Sequence, residues 1–182
     1  MLANIQTRKF TRKEYHQLAE AGILHPDERV ELIEGDIVVI SPMGRKHISY
    51  MARLTTIFVL VFHKNATVIS QTPVVMNGKS EPEPDFAILK PSDDYYASRK
   101  PRGTDALLLI EISDSTLRYD KSTKVKLYAA NGVPEYWVID TVNEVVEVFR
   151  GLENGSYQTE FTARRGEATR LMFQQSKKST SL

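Results

Sequence analysis

Ala106-Leu107-Leu108-Leu109-Ile110-Glu111-Ile112-Ser113 decides how this chain is read. From Ala106 to Ile110 there is no polar face, and a strand that is apolar on both sides belongs in the middle of a sheet covered above and below. Glu111 breaks that pattern. Burying an unpaired carboxylate costs several kcal/mol, so a glutamate here needs a cation, hydrogen bonds or a raised pKa. A metal ion meets that need. An exposed strand end, with Glu111 capping a neighbour, meets it equally.

Working outward, residues 85–89 read as a neighbouring strand entered through Glu81-Pro82-Glu83-Pro84, since proline removes a ladder donor and suits a strand's start. Residues 90–104 are loop-like. Downstream, residues 122–130 read as a short helix stopped by Asn131-Gly132 and Pro134. Residues 135–140 and 144–149 form a hairpin, and 157–162 add an edge strand. Upstream, Thr11 and Glu14 make a capping box for a first helix. Residues 30–41 read as two short strands about Gly35-Asp36, 47–63 as a helix and 66–76 as a β-branched strand. This order predicts an α/β fold, a mixed central sheet flanked by helices, in a single domain over residues 1–173. The polar run 174–182 reads as a flexible tail.

Bulk properties narrow the function classes. The chain has 182 residues, 41% hydrophobic and 26% charged, with a net charge of +1 and no cysteine. The absence of cysteine excludes disulfides, thiolate zinc sites and a cysteine nucleophile. No apolar run is long enough to cross a bilayer, and charges start early in the chain, so a cytoplasmic protein without a membrane anchor is expected. A nucleic-acid surface, if present, has to be local: Arg45-Lys46, Arg99-Lys100 with Arg102, Arg118 with Lys121, Lys124 and Lys126, or Arg164-Arg165. Taken singly, each cluster also fits a solvated face.

Asp85 and Glu111, at the ends of adjacent strands, can converge as oxygen ligands for a hard ion such as Mg²⁺. A lysine two residues after the second acid would share its face, but that position is Ser113. The following helix offers Lys121, Lys124 and Tyr128 on one face at three- and four-residue steps. Lys124 is the candidate cation of the site and Lys121 a candidate substrate contact. Their alternative is the ordinary exposed lysine. Tyr128, Tyr136 and Trp137 read as core residues.

Pro84-Asp85, Glu111-Ile112-Ser113, Tyr119-Asp120, Lys124, Tyr128 and above all Gly132-Val133-Pro134-Glu135-Tyr136-Trp137 resemble the Uma-type putative endonuclease family, within the PD-(D/E)xK restriction-endonuclease-like superfamily. Glu31-Leu32-Ile33-Glu34-Gly35 and His47 extend the resemblance over roughly residues 10–150. It implies a restriction-endonuclease-like sheet and a metal-dependent phosphodiesterase acting on DNA. Asp85 and Glu111 match the family's metal-binding acids, and Lys124 a lysine displaced from strand to helix. Glu31, with Glu34 as fallback, matches an acidic position that contacts metal or water, and His47 a position that touches phosphate.

Mg²⁺, or Mn²⁺, held by Asp85, Glu111 and the Ile112 carbonyl would polarise the scissile phosphate and acidify a bound water. Lys124 would orient that water or offset developing charge. A catalytically silent nucleic-acid-binding or protein-interaction module on the same fold is the rival reading. A homodimer is expected by analogy with enzymes that cut both strands, with the hairpin at 135–149 a candidate pairing edge.

Overall fold

A computed structural model of the chain describes residues 7–63, 65–164 and 166–167. In chain order the elements are helix α1 (Arg12–Glu20), strands β1 (Val30–Ile33) and β2 (Asp36–Val39), helix α2 (Arg45–Phe62), and strands β3 (Thr67–Ser70), β4 (Phe86–Leu89) and β5 (Ala106–Ser113). A helical stretch follows: α3 (Leu117–Tyr119), a π turn over Asp120–Lys124, and α4 (Val125–Ala130). Strands β6 (Glu135–Asp140), β7 (Val145–Glu153) and β8 (Ser156–Arg164) complete it.

Six strands form one mixed sheet in the order β3-β4-β5-β6-β7-β8, and β1 and β2 form a separate hairpin. Every neighbouring pair in the large sheet is antiparallel except β5 and β6, which run parallel. A parallel pair needs a crossover, and the helical stretch between Ser113 and Glu135 supplies it. The apolar strand is therefore central, and its two-residue period divides the core. Leu108, Ile110 and Ile112 pack with Phe58 and Phe62 of α2 on one face. Leu109 packs with Leu127, Tyr128 and Tyr136 on the other. Glu111 shares the Leu109 face, so it meets the crossover helix.

Several expectations shift by a residue or more. The first hairpin turns at Glu34-Gly35 rather than Gly35-Asp36, because Ile33 pairs with Asp36 and the two loop residues both have positive φ (49° and 83°). The strand expected over residues 66–76 is only Thr67–Ser70; Val75 makes an isolated bridge to Arg102 instead. The crossover helix starts at Leu117, five residues before Ser122, since Asp120 is held by two hydroxyls and seats the π turn. The hairpin at 135–149 has no free edge: β6 is paired to β5 and β7 to β8, which leaves β3 and β8 at the borders. Residues 174–182, read as a tail, and Arg165 lie outside the described residues. Among the described residues no helix is long and apolar enough to cross a membrane.

The β1–β2 hairpin is docked against the N-terminal segment by its turn. The amide of Phe10 donates to the Gly35 carbonyl at 2.8 Å, and the Gly35 amide donates to Lys79 at 2.8 Å. A Cβ on Gly35 would stand 2.7 Å from the Lys9 side chain and 3.0 Å from the Phe10 carbonyl, at a φ that L residues rarely adopt. Gly35→Ala is therefore expected to destabilise the fold by about 1–3 kcal/mol. The change should appear as a lower urea midpoint with the slope unchanged; an unaltered midpoint would contradict it.

Candidate active site

The end of the central strand is where four chain segments meet. Pairing between β4 and β5 stops at Phe86 and Ile110, so the Ile112 amide lies beyond the ladder on that side. The Asp85 side chain takes it over: its Oδ2 accepts from the Ile112 N–H at 2.8 Å. Its Oδ1 lies 2.9 Å from His47 Nε2, which comes from the first turn of α2. Asp85 is thus fixed beside β5 by a main-chain bond.

Glu111 and Lys124 are both buried, at 6% and 5% exposure, and Glu31 and Asp120 are buried with them. The Lys124 ammonium lies 3.0 Å from Glu111 Oε1 and 3.0 Å from Glu31 Oε1. Asp120 Oδ1 is 3.9 Å away. Glu111 Oε1 also accepts from the Tyr128 hydroxyl at 2.7 Å. Glu31 Oε2 accepts from the Glu83 amide at 3.1 Å, which ties the hairpin to the segment entering β4. One ammonium thus joins the hairpin, the central strand and the crossover helix.

Ser113 explains where the lysine comes from. It is on the Glu111 face of β5, two residues on, and its short side chain points to the helix, donating to Asp120 Oδ2 at 2.5 Å. Thr116 donates to the same oxygen at 2.6 Å. These bonds seat the π turn, a geometry that recurs at functional sites. They bring Lys124 over Glu111. The same turn overturns the expectation for Lys121: it does not share the Lys124 face but pairs with Glu147 of β7 at 2.8 Å, away from the cleft.

Charge states follow from burial. Burial drives the Glu111 carboxyl well above the usual carboxylate range; Lys124 pulls it back, while Asp120, Asp85 and Glu31 add to the rise. Burial also works against the Lys124 charge, but Glu111, Glu31 and Asp120 outweigh it and hold its pKa above an ordinary lysine's. Lys124 is therefore a fixed cation rather than a base. Burial and the Glu111 charge raise Tyr128 well above an ordinary tyrosine, so it stays a neutral donor.

The structure thus gathers Asp85, Glu111, Lys124, Glu31, His47 and Ile112 at one cleft, and leaves Lys121 and the exposed turn residue Glu34 out of it. Asp120, quoted from the sequence only as part of the resemblance, and Tyr128, read there as core, also belong to the site. Their signal was the four-residue spacing of Asp120, Lys124 and Tyr128 along the helix. Tyr128 is a core residue, as expected, whose hydroxyl also serves the site.

A family model described as "Putative restriction endonuclease", named Uma2, matches residues 12–176. The chain belongs to the Uma2 family. A solved structure from Anabaena variabilis ATCC 29413, described as a putative nuclease belonging to DUF820, is similar to this chain with a TM-score of 0.67. The two share 18% identity, and 87% of each chain is covered. No curated protein matches the sequence. Uma2 membership and this fold likeness bear out the restriction-endonuclease-like mixed sheet and place the chain among nuclease-like proteins.

Replacing Lys124 by methionine removes the ammonium that Glu31, Glu111 and Asp120 share, and the loss should cost about 3–5 kcal/mol near neutral pH. A carboxyl whose folded-state pKa exceeds its unfolded value (about 4.3) favours folding below that value, and the advantage fades as pH rises toward the folded pKa. Without the ammonium the Glu111 carboxyl rises further. The Lys124→Met deficit in urea midpoint should therefore widen as pH rises past the wild type's folded Glu111 pKa; a constant deficit would count against the assignment.

Glu111→Gln keeps an acceptor for Lys124 and Tyr128 but cannot ionise. Its melting temperature should gain on the wild type's as pH rises above the carboxyl's unfolded value. A gap widening in the wild type's favour would reverse the assigned direction.

Proposed function

We propose that this Uma2 protein is a Mg²⁺-dependent endonuclease that hydrolyses phosphodiester bonds of DNA, acting in the cytoplasm. The observation that carries this reading is the convergence of Asp85, Glu111 and the buried Lys124 ammonium at the end of the central strand. Family membership supports nuclease chemistry in general; metal and DNA are inferred from the donor set.

Asp85, Glu111 and the Ile112 carbonyl would hold the ion. Among the described residues no group of three or more histidine, aspartate or glutamate side chains is arranged as a ready metal cage. Mg²⁺ keeps several waters and takes one or two carboxylates together with substrate phosphate. The donors are hard oxygens, and Glu31, Asp85, Glu111 and Asp120 outnumber the single Lys124 cation among them, so added positive charge is favourable here. When bound, Mg²⁺ would polarise the phosphate and lower the pKa of a coordinated water.

The chain's own residues do the rest. Asp85, held by the Ile112 amide, presents its carboxylate at a fixed place. Lys124 supplies a permanent positive charge for the pentavalent phosphate, and Glu31 holds that ammonium. His47, at 17% side-chain exposure, reaches the cleft beside Asp85 and is placed to contact a phosphate oxygen. A second copy would be needed to cut both strands at one place, so a homodimer is part of the proposal.

A catalytically silent binding module is the second reading, favoured by the engagement of Lys124 with Glu31 and Glu111. Purified protein with plasmid DNA and Mg²⁺ or Mn²⁺ separates the two. Cleavage is expected from the wild type, and Asp85→Asn, Glu111→Gln and Lys124→Ala should each slow it by about a hundredfold or more. Equal rates for wild type and Glu111→Gln would sink the site assignment. DNA binding without cleavage by any form would favour the silent module. Mn²⁺ titration by calorimetry should show binding to the wild type that Asp85→Asn loses.

A further inference from the structure

The cleft has a second lining that hydrolysis does not use. The end of β2 and the loop from it into α2 contribute Val38, Val39, Ile40, Pro42 and Met43 to the same cleft as Asp85, Glu111 and Lys124. Val38 packs against the core and Ile40 is half-buried, but Val39 is 77% exposed and Met43 39%. Single exposed apolar side chains are ordinary, but a consecutive set lining a cleft of buried charge is a surface awaiting a ligand.

Its electrostatic setting says which. Arg29 lines the cleft, and Arg45 and Lys46 follow directly from the apolar loop in the first turn of α2. Arg12, Arg99, Lys100, Lys121 and Lys124 are each ion-paired to a carboxylate. No such pair within 4 Å is made by Arg29, Arg45 or Lys46 among the described residues. An occupant has to bring negative charge to these cations and an apolar face to Val39 and Met43. A nucleotide has both, provided its base is out of the stack. In a continuous duplex both faces of each base are covered by neighbours and cannot reach an apolar wall.

We propose that Val39 and Met43, with the loop between them, form a seat for an unstacked base, so that the substrate is single-stranded DNA or a nucleotide flipped or frayed from a duplex. This rests on the nuclease reading for the place of the scissile phosphate, and it adds the strandedness of the substrate. Base contacts of this kind tolerate sequence because every base has an apolar face, and each contributes enough to change affinity several-fold or more.

The test measures binding by the full chain in EDTA, which separates it from cleavage. Fluorescence anisotropy compares a short single strand, the matching blunt duplex and a single strand with central abasic positions. Wild type should bind the single strand about tenfold tighter than the duplex or the abasic strand. The double variant Val39→Ser/Met43→Ser alters only solvent-exposed side chains, so its fold should be intact by circular dichroism. It should lose most of that preference while binding the duplex as before.

Equal affinity of the wild type for single strand and duplex overturns the proposal, as does failure to bind either. Undiminished single-strand binding by the double variant overturns it too, and its conversion of a dimer to a monomer on a sizing column would then assign the wall to a second copy. If the wild type shows base-dependent binding yet cuts nothing with Mg²⁺, the base seat stands and hydrolysis is the reading that fails.

Discussion

The Lys124 ammonium, buried against Glu111 and Glu31, is the interaction on which the arrangement depends. Three segments far apart in sequence meet here: Ile33 of the hairpin, Leu109 of β5 and Tyr128 of α4 share one core, and a shared ion joins the same segments beside it. A buried ion pair is weak evidence for net stability, because desolvation of each charge offsets the attraction. Its effect here is positional. Taking away the ammonium leaves Glu31, Glu111 and Asp120 without the cation they share, so the hairpin, β5 and the crossover helix are coupled through this ion as well as through their common core. The excess of acids over cations has the opposite consequence: the site is stable enough to form and still receptive to further positive charge.

The fold supplies what that ion needs. The central strand is buried on both faces, so the main chain beneath Glu111 cannot shift without disturbing two cores. Asp85 extends the β4 edge by one side-chain bond where proline would otherwise end the pairing. Ser113 leaves room for the helix to approach and gives Asp120 a hydroxyl to grip. A longer residue at 113 would fill the place into which Lys124 is turned. The displaced lysine and the small serine are two parts of one packing solution.

How much of this could be read from sequence depends on the range of the interaction. The central strand was legible because burial on both faces leaves a run of apolar residues, and its single acid stood out against that run. The capping box at Thr11 and Glu14 was legible because it is local. The convergence of Asp85, Glu111 and Lys124 was anticipated, Asp85 and Glu111 partly from strand ends and Lys124 mainly from family resemblance. The π turn was not legible: it arises from hydroxyls of Ser113 and Thr116 folding onto Asp120, a tertiary arrangement with no periodic mark. Assuming an ordinary helical period therefore put Lys121 on the wrong side. Likewise, nothing in the run Glu31 to Gly35 distinguishes the glutamate that faces Lys124 from the one in the turn until the strand pairing is known.

The two linings of the cleft are built differently, and that difference bears on how function is divided. Asp85 and Glu111 stand at the ends of buried strands and Lys124 on the buried turn of the crossover helix, each fixed by charge-assisted bonds, as the proposed reaction centre requires. Residues 41–44 are exposed, and the bonds recorded for them are few: the Gly44 carbonyl accepts from Ile48, and Met43 sulfur accepts from Gln71. In the proposed base seat this loop would meet the base, while the hairpin's link to the ion runs through Glu31, opposite Val38 on the neighbouring strand. Fixed charge beside an exposed apolar loop would suit a substrate whose backbone repeats and whose bases do not. On that proposal the nucleotide would be recognised as a class rather than by sequence.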